Sequence, residues 1–260
     1  MRKEIPIIAV IVAFILGASV CYICLGNDGG DEKDCDTMYQ VSLLDALKEG
    51  DYYGSVTVGE LKQHGDTGLG TFDTLNGEMI MYQGTVYQVL YDGTVRVADD
   101  STTVPFANTA YMETDFSESG VSADTYQSLV DQMSQTVSEH GKNSMYVAVI
   151  EGTFDTLTIR SEKAQSEPYQ PLDEVLKHDQ KEWHPESVSG VIVALYFPEY
   201  AGSFNSAGWH LHFISEDRTQ GGHVLDQLSV SDCRITYNKV TSLEVVMPSG
   251  EFFQSIDFSN

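Results

Sequence analysis

The hexapeptide GTFDTL occurs twice in this 260-residue chain, at Gly70–Leu75 and again at Gly152–Leu157. Self-similarity of this kind points to two related units stacked on each other. Each copy follows a stretch that reads as a helix, and each has a charged residue three positions after its leucine: Glu78 in the first, Arg160 in the second. If the units pack with approximate symmetry, those two side chains approach one place from equivalent strands.

The segments around the repeat carry mostly strand signals. EMIMYQGTVYQVLYDGTVRV alternates apolar and polar residues, with turns expected at Gln83-Gly84 and Asp92-Gly93. Further strands are expected in SMYVAVIEGTFDTLTI, GVIVALYFP, GWHLHFIS, CRITY and SLEVVM. Helices are fewer. SLLDALKEG reads as a short one, capped by Ser42 and stopped by Gly50. In SADTYQSLVDQMSQTVSEHG, Tyr126, Leu129, Val130, Met133 and Val137 form one stripe, closed by Gly141. LDEVLKHDQKEW is a third, short candidate. The expected fold class is α+β, mixed α/β: two β-rich halves, about 39–120 and 121–260, with covering helices and a histidine site in the C-terminal half.

Ahead of this domain, Ile5–Leu25 carries no charge and is preceded by Arg2 and Lys3. Its length suits a signal peptide or membrane anchor over residues 1–26, followed by an acidic, Gly-rich linker over 27–38 and the main domain over 39–260. The positive flank places the bulk of the chain outside, so the protein is expected to be exported, either extracellular or anchored to the outer face of the cytoplasmic membrane. In that setting Cys35 and Cys233 are expected to pair, whereas Cys21 and Cys24 lie in the apolar segment. Acidic residues number 39 against 14 basic ones, a formal net charge of -25, which repels nucleic acid.

GWHLHFISEDRTQGGHVLD holds His210, His212 and His223, three of the chain's seven histidines. On a strand, alternate side chains share a face, so His210 and His212 point the same way and Leu211 the other. A hairpin through the polar loop can return His223 opposite the pair. Three neutral imidazoles suit a divalent zinc, iron, manganese or copper ion, and three protein ligands leave positions open, as in a catalytic site. The other histidines, His64, His140, His178 and His184, read as solvated or satisfied within the fold, and Arg218 as a solvated loop charge. Spacing alone names no reaction. A cupin-like metal oxygenase would use Glu216 after the HxH pair, and a non-catalytic surface metal-binding protein would need the histidines alone.

Taken together, GTFDTLNGEMIMYQGTVYQV, VPFANTAY, IEGTFDTLTIRS and GWHLHFISEDRTQGGHVLD resemble the alpha-acetolactate decarboxylases, with similarity running from about Tyr39 to Phe258. The resemblance implies an enzyme, a carboxy-lyase that converts 2-acetolactate to acetoin and carbon dioxide, and commonly a homodimer. His210, His212 and His223 match the family's metal ligands, with zinc the first expectation and iron or manganese the others. Glu78 matches the glutamate beside the metal and Arg160 the arginine; Thr71 matches a threonine of the same pocket. The resemblance further implies a second glutamate in a C-terminal tail. This chain ends GEFFQSIDFSN; Glu244 and Glu251 come too early, so either Asp257 or water is expected in that role, or the site is more open.

Overall fold

The computed structural model describes residues 33–202 and 204–259. The expected leader, half of the linker, and Cys21 and Cys24 lie outside the described residues. Strand is the dominant secondary structure of the described chain. In order come β1 (Thr37–Val41), β2 (Val56–Thr57), β3 (Thr67–Thr71), β4 (Glu78–Tyr82), β5 (Thr85–Val89), β6 (Val95–Val97), β7 (Thr103–Val104), β8 (Ala107–Ala110) and β9 (Phe116–Ala123). They continue with β10 (Met145–Glu162), β11 (Gln180–Trp183), β12 (Glu186–Phe197), β13 (Gly208–Ser215), β14 (Gly221–Val240) and β15 (Ser242–Val246). Helices are short, except one: α1 (Leu44–Lys48), α2 (Val58–Leu61), α3 (Tyr126–Gly141), α4 (Leu172–His178) and α5 (Glu251–Ser255).

A seven-stranded sheet runs β15-β1-β8-β3-β4-β5-β6, so the C-terminal β15 returns to pair in parallel with β1. A six-stranded sheet runs β11-β10-β12-β13-β14-β9, and β10 also pairs with β14. The ladder β10–β12–β13–β14 therefore returns to β10, and this sheet closes on itself. The two sheets pack through an apolar layer in which Ile80 and Val89 meet Val149, Val193 and Ile214. Each such side chain, taken fully out of water, contributes about 1.5–3 kcal/mol before entropy is counted.

α3 covers the second sheet with Leu129, Met133 and Val137, the expected stripe, against Phe154, Phe213 and Ile235. Thr125 caps it in a capping box with Ser128, and Gly141 ends it at φ 120°. The β4–β5 turn has both Gln83 (φ 51°) and Gly84 (φ 76°) left-handed, the twist a two-residue hairpin needs.

Four expectations are corrected. Ser42 does not cap α1: its amide is taken by the Val246 carbonyl of β15, and Leu43 stands at the cap without a side-chain bond. The third helix stops at His178, because Gln180–Trp183 is drawn onto the edge of β10 as β11. No disulfide joins Cys35 and Cys233. The Cys35 carbonyl is held by Asn238, five residues along β14 from Cys233, which is roughly 16 Å of strand and far beyond disulfide reach. Lastly, the two GTFDTL copies do not fold alike. The second is continuous strand within β10, whereas the first leaves β3 after Thr71 and turns through a 3₁₀ segment at Asp73–Leu75. There Thr74 (φ 63°) and Leu75 (φ 56°) are left-handed, which Gly54 helps fix by donating its amide to Asp73.

Candidate functional site

The β13–β14 hairpin sets His212 directly opposite His223, and β14 in turn sets His223 opposite Arg160 of β10. Side chains two apart on a strand share a face, so His210 joins His212 and Glu162 joins Arg160. A row of histidines and charges thus crosses three strands of the closed sheet. Gly222 makes the crossing possible: it lies at φ 145°, and a Cβ there would collide with the Arg160 carbonyl. The other sheet faces this row with Thr71 and Glu78, cross-strand partners on β3 and β4. Thr71 donates its hydroxyl to the Gly77 carbonyl at 2.8 Å, fixing the turn that delivers Glu78.

The imidazole nitrogens converge. His210 Nε2 is 3.0 Å from His223 Nδ1 and 3.1 Å from His212 Nε2, and His223 Nδ1 is 3.2 Å from His212 Nε2. Three nitrogens bonded to one tetrahedral ion at about 2.0–2.1 Å would stand roughly 3.3 Å apart, so the set fits a metal. Their protonation fits too. His212 Nδ1 donates to the Met79 carbonyl at 2.8 Å, which leaves the lone pair of Nε2 facing the other two rings. Burial lowers the pKa of all three, and Arg160 adds to the effect; for His210 the value falls to about 4. These are neutral imidazoles, ready as ligands.

Glu78 lies beside them, its Oε2 3.4 Å from His212 Nε2, and is 5% exposed. Its carboxyl is held well above the usual range, first by burial and then by the charge of Glu162, against the opposing pull of Arg160. Arg160 forms an ion pair with Glu162 through Nη1. All six expected residues, Thr71, Glu78, Arg160, His210, His212 and His223, line one cavity of about 340 Å³, a size suited to a small molecule. Its remaining wall is mostly apolar, with Leu44, Leu47, Leu75, Phe106, Leu172 and Trp209, and Lys48, Tyr126 and Ser206 are its polar members. Glu162 lines it as well, and the sequence reading missed it. Its signal was the strand period, two residues beyond Arg160.

Other sequence candidates lie elsewhere. Glu216 sits in the β13–β14 turn beside a separate cleft with Arg218, Gln83 and Glu151, so the oxygenase alternative loses its carboxylate. Arg218 is no solvated loop charge: its guanidinium lies 5.6 Å and 5.4 Å from the rings of Tyr82 and Tyr87. Asp257 accepts from Ser259 and borders a groove with Lys48 and Phe252, outside the lining of the histidine cavity. His64 and His140 stack on Tyr39 and Phe116, and His184 bonds Thr158.

A mixed, mostly β-sheet protein with few helices and a histidine cluster able to hold a metal ion is the class that this fold and site define. The chain belongs to the alpha-acetolactate decarboxylase family, whose pattern it matches over residues 38–260. It is 36% identical to the alpha-acetolactate decarboxylase of Methanosarcina mazei, over 85% of this chain and 75% of that one. Against the Bacillus licheniformis enzyme of the same name the identity is 31%, over 88% of each chain. The crystal structure of alpha-acetolactate decarboxylase from Bacillus subtilis strain 168 superposes with a TM-score of 0.82 at 30% identity, covering 86% of this chain and 94% of that one.

Proposed function

We propose that this chain decarboxylates 2-acetolactate to acetoin and carbon dioxide, with His210, His212 and His223 holding a divalent metal ion, zinc first by its donor set. The observation that carries the reading is the meeting of Glu78 and Arg160 with the histidine set, in a chain of this family. A surface metal-binding protein would have no use for that meeting.

The chemistry sets clear demands. When the bond to the carboxylate carbon breaks, its electron pair passes to the neighbouring ketone and leaves an enolate. A proton must then reach the former carboxyl-bearing carbon. A bound divalent ion would supply Lewis acidity toward the ketone and hydroxyl oxygens. Arg160 supplies the positive charge that draws the anionic substrate into a protein of net charge -25, and its planar fork suits a carboxylate. Glu78, kept protonated by its burial and by Glu162, is the proton donor to carbon. Thr71 spends its hydroxyl proton on Gly77 and so holds the Glu78 strand in place rather than donating to substrate. The apolar wall receives the methyl groups and keeps water from competing for the enolate.

Mixing the purified protein with racemic acetolactate tests this directly. Acetoin should form, and a chelator should abolish its formation; absence of acetoin with metal present would refute the assignment. The family likeness also supports a homodimer, and the uncharged Ile5–Leu25 stretch with Arg2 and Lys3 before it supports export with attachment or release outside the cytoplasm.

A further inference from the structure

Glu162 enters the chemistry above only by helping to keep Glu78 protonated. It is 3% exposed and lies within hydrogen-bonding reach of the Glu78 carboxyl. Its Oε1 accepts from Arg160 Nη1, and Glu162 is the hydrogen-bond partner of Arg160 among the described residues. The backbone beneath it is fixed. Ser161 donates its hydroxyl to the Val89 carbonyl of β5 at 2.6 Å, and the Lys163 amide donates to the Asp179 carbonyl at 2.8 Å.

Two buried carboxyl groups, Glu78 and Glu162, therefore lie near one guanidinium that is itself only 12% exposed. With five N–H donors, the guanidinium can bond either of them. If it settled on Glu78, it would close across the cavity and occupy the group that must face the substrate. We propose that Glu162 is a positioning residue: it holds Arg160 by Nη1, away from Glu78, so that the free N–H edges of the guanidinium serve the substrate carboxylate. The inference rests on the decarboxylation reading for what Arg160 does, but the placement itself stands apart from it.

A double-mutant cycle on kcat/KM with Arg160→Ala tests this, with metal content checked in each variant. Glu162→Ala should lower kcat/KM by about 10²-fold, the scale of a lost charge stabiliser. Glu162→Gln keeps an acceptor at the same reach and should stay within about tenfold of the parent. In the Arg160→Ala background neither change should cost more than about threefold, because its target is gone. Losses that multiply in the double variants, or parent-like rates in Glu162→Ala, would overturn the proposal. If Glu162→Ala fails to fold, Glu162→Leu, which fills the same space without an acceptor, takes its place in the cycle with the same expected losses. Crystal structures of the parent protein and of Glu162→Gln read the placement without turnover: Arg160 should hold the same position in both, and a guanidinium turned onto Glu78 in the parent protein would refute the claim. Absence of acetoin from the parent would instead refute the reaction.

Discussion

His212 of the second sheet gives its Nδ1 proton to the Met79 carbonyl of the first. That bond joins the two sheets at the site and sets which nitrogen of His212 is left for a metal. The residue next to Met79 is Glu78, so one contact places a ligand ring and a carboxyl group relative to each other.

Metal content should follow from this arrangement. The parent protein should carry about one divalent ion per chain. His210→Ala and His212→Ala should each lose it, because two imidazoles hold such an ion far more weakly than three. Elemental analysis after dialysis decides this, and full occupancy in both variants would dismiss the site. His212→Ala should also lower the stability of the metal-free protein by roughly 1 kcal/mol more than His210→Ala, since it removes the inter-sheet bond as well.

Glu78→Gln and Arg160→Ala should leave metal content unchanged. Each should reduce turnover by about 10²-fold or more, the effect of losing a positioned proton donor or charge stabiliser. Arg160→Ala should in addition raise KM. Near-parental acetoin formation in either variant would remove that residue from the mechanism.

How these residues come together was only partly readable in the chain. The HxH alternation and the hairpin gave the His210–His212–His223 set, because strand period and turn spacing are local properties. The α3 stripe was legible for the same reason. The GTFDTL repeat led to a sound meeting point by an unsound route. Glu78 and Arg160 do line one cavity, but one copy is a turn and the other a strand, so equivalent geometry does not bring them there. Tertiary context chose between two conformations that the same six residues allow. Glu162, the placement of Cys35 and the closure of the second sheet depend on pairing between distant segments, and no local period encodes that.

The two copies allow a direct comparison. Thr74 sits at φ 63°, costly for a β-branched residue, whereas its counterpart Thr156 lies in β10 and bonds Ser229 at 2.8 Å. Thr74→Gly should therefore stabilise the fold or leave it unchanged, within about 1 kcal/mol. Thr156→Gly should destabilise it by about 1 kcal/mol. Denaturant titration of both variants measures the difference, and equal losses would contradict the assigned conformations.

Alkaline pH should weaken the fold through Cys233. Burial pushes its thiol up from 9.0 to about 11. A raised pKa means that the folded state holds the proton more tightly than the unfolded chain. The contribution is fully present below pH 9 and is lost as pH rises toward 11. Cys233→Ala should flatten the stability profile in that window. In native protein at pH 8, alkylation should spare Cys233 until it unfolds.

The closed path through β10, β12, β13 and β14 has a consequence for how such a protein can change over generations. The histidines, Arg160 and Glu162 all hang from one continuous hydrogen-bonded hoop, whereas Leu44, Leu47, Leu75, Phe106 and Leu172 come from segments outside it. Mutation can reshape the greasy lining, and so the set of molecules admitted, without disturbing the spacing of the reactive groups. The histidines and Arg160 are thereby inherited on one piece of the chain, whereas Glu78 and most of the selecting wall, Trp209 of β13 excepted, are inherited on others.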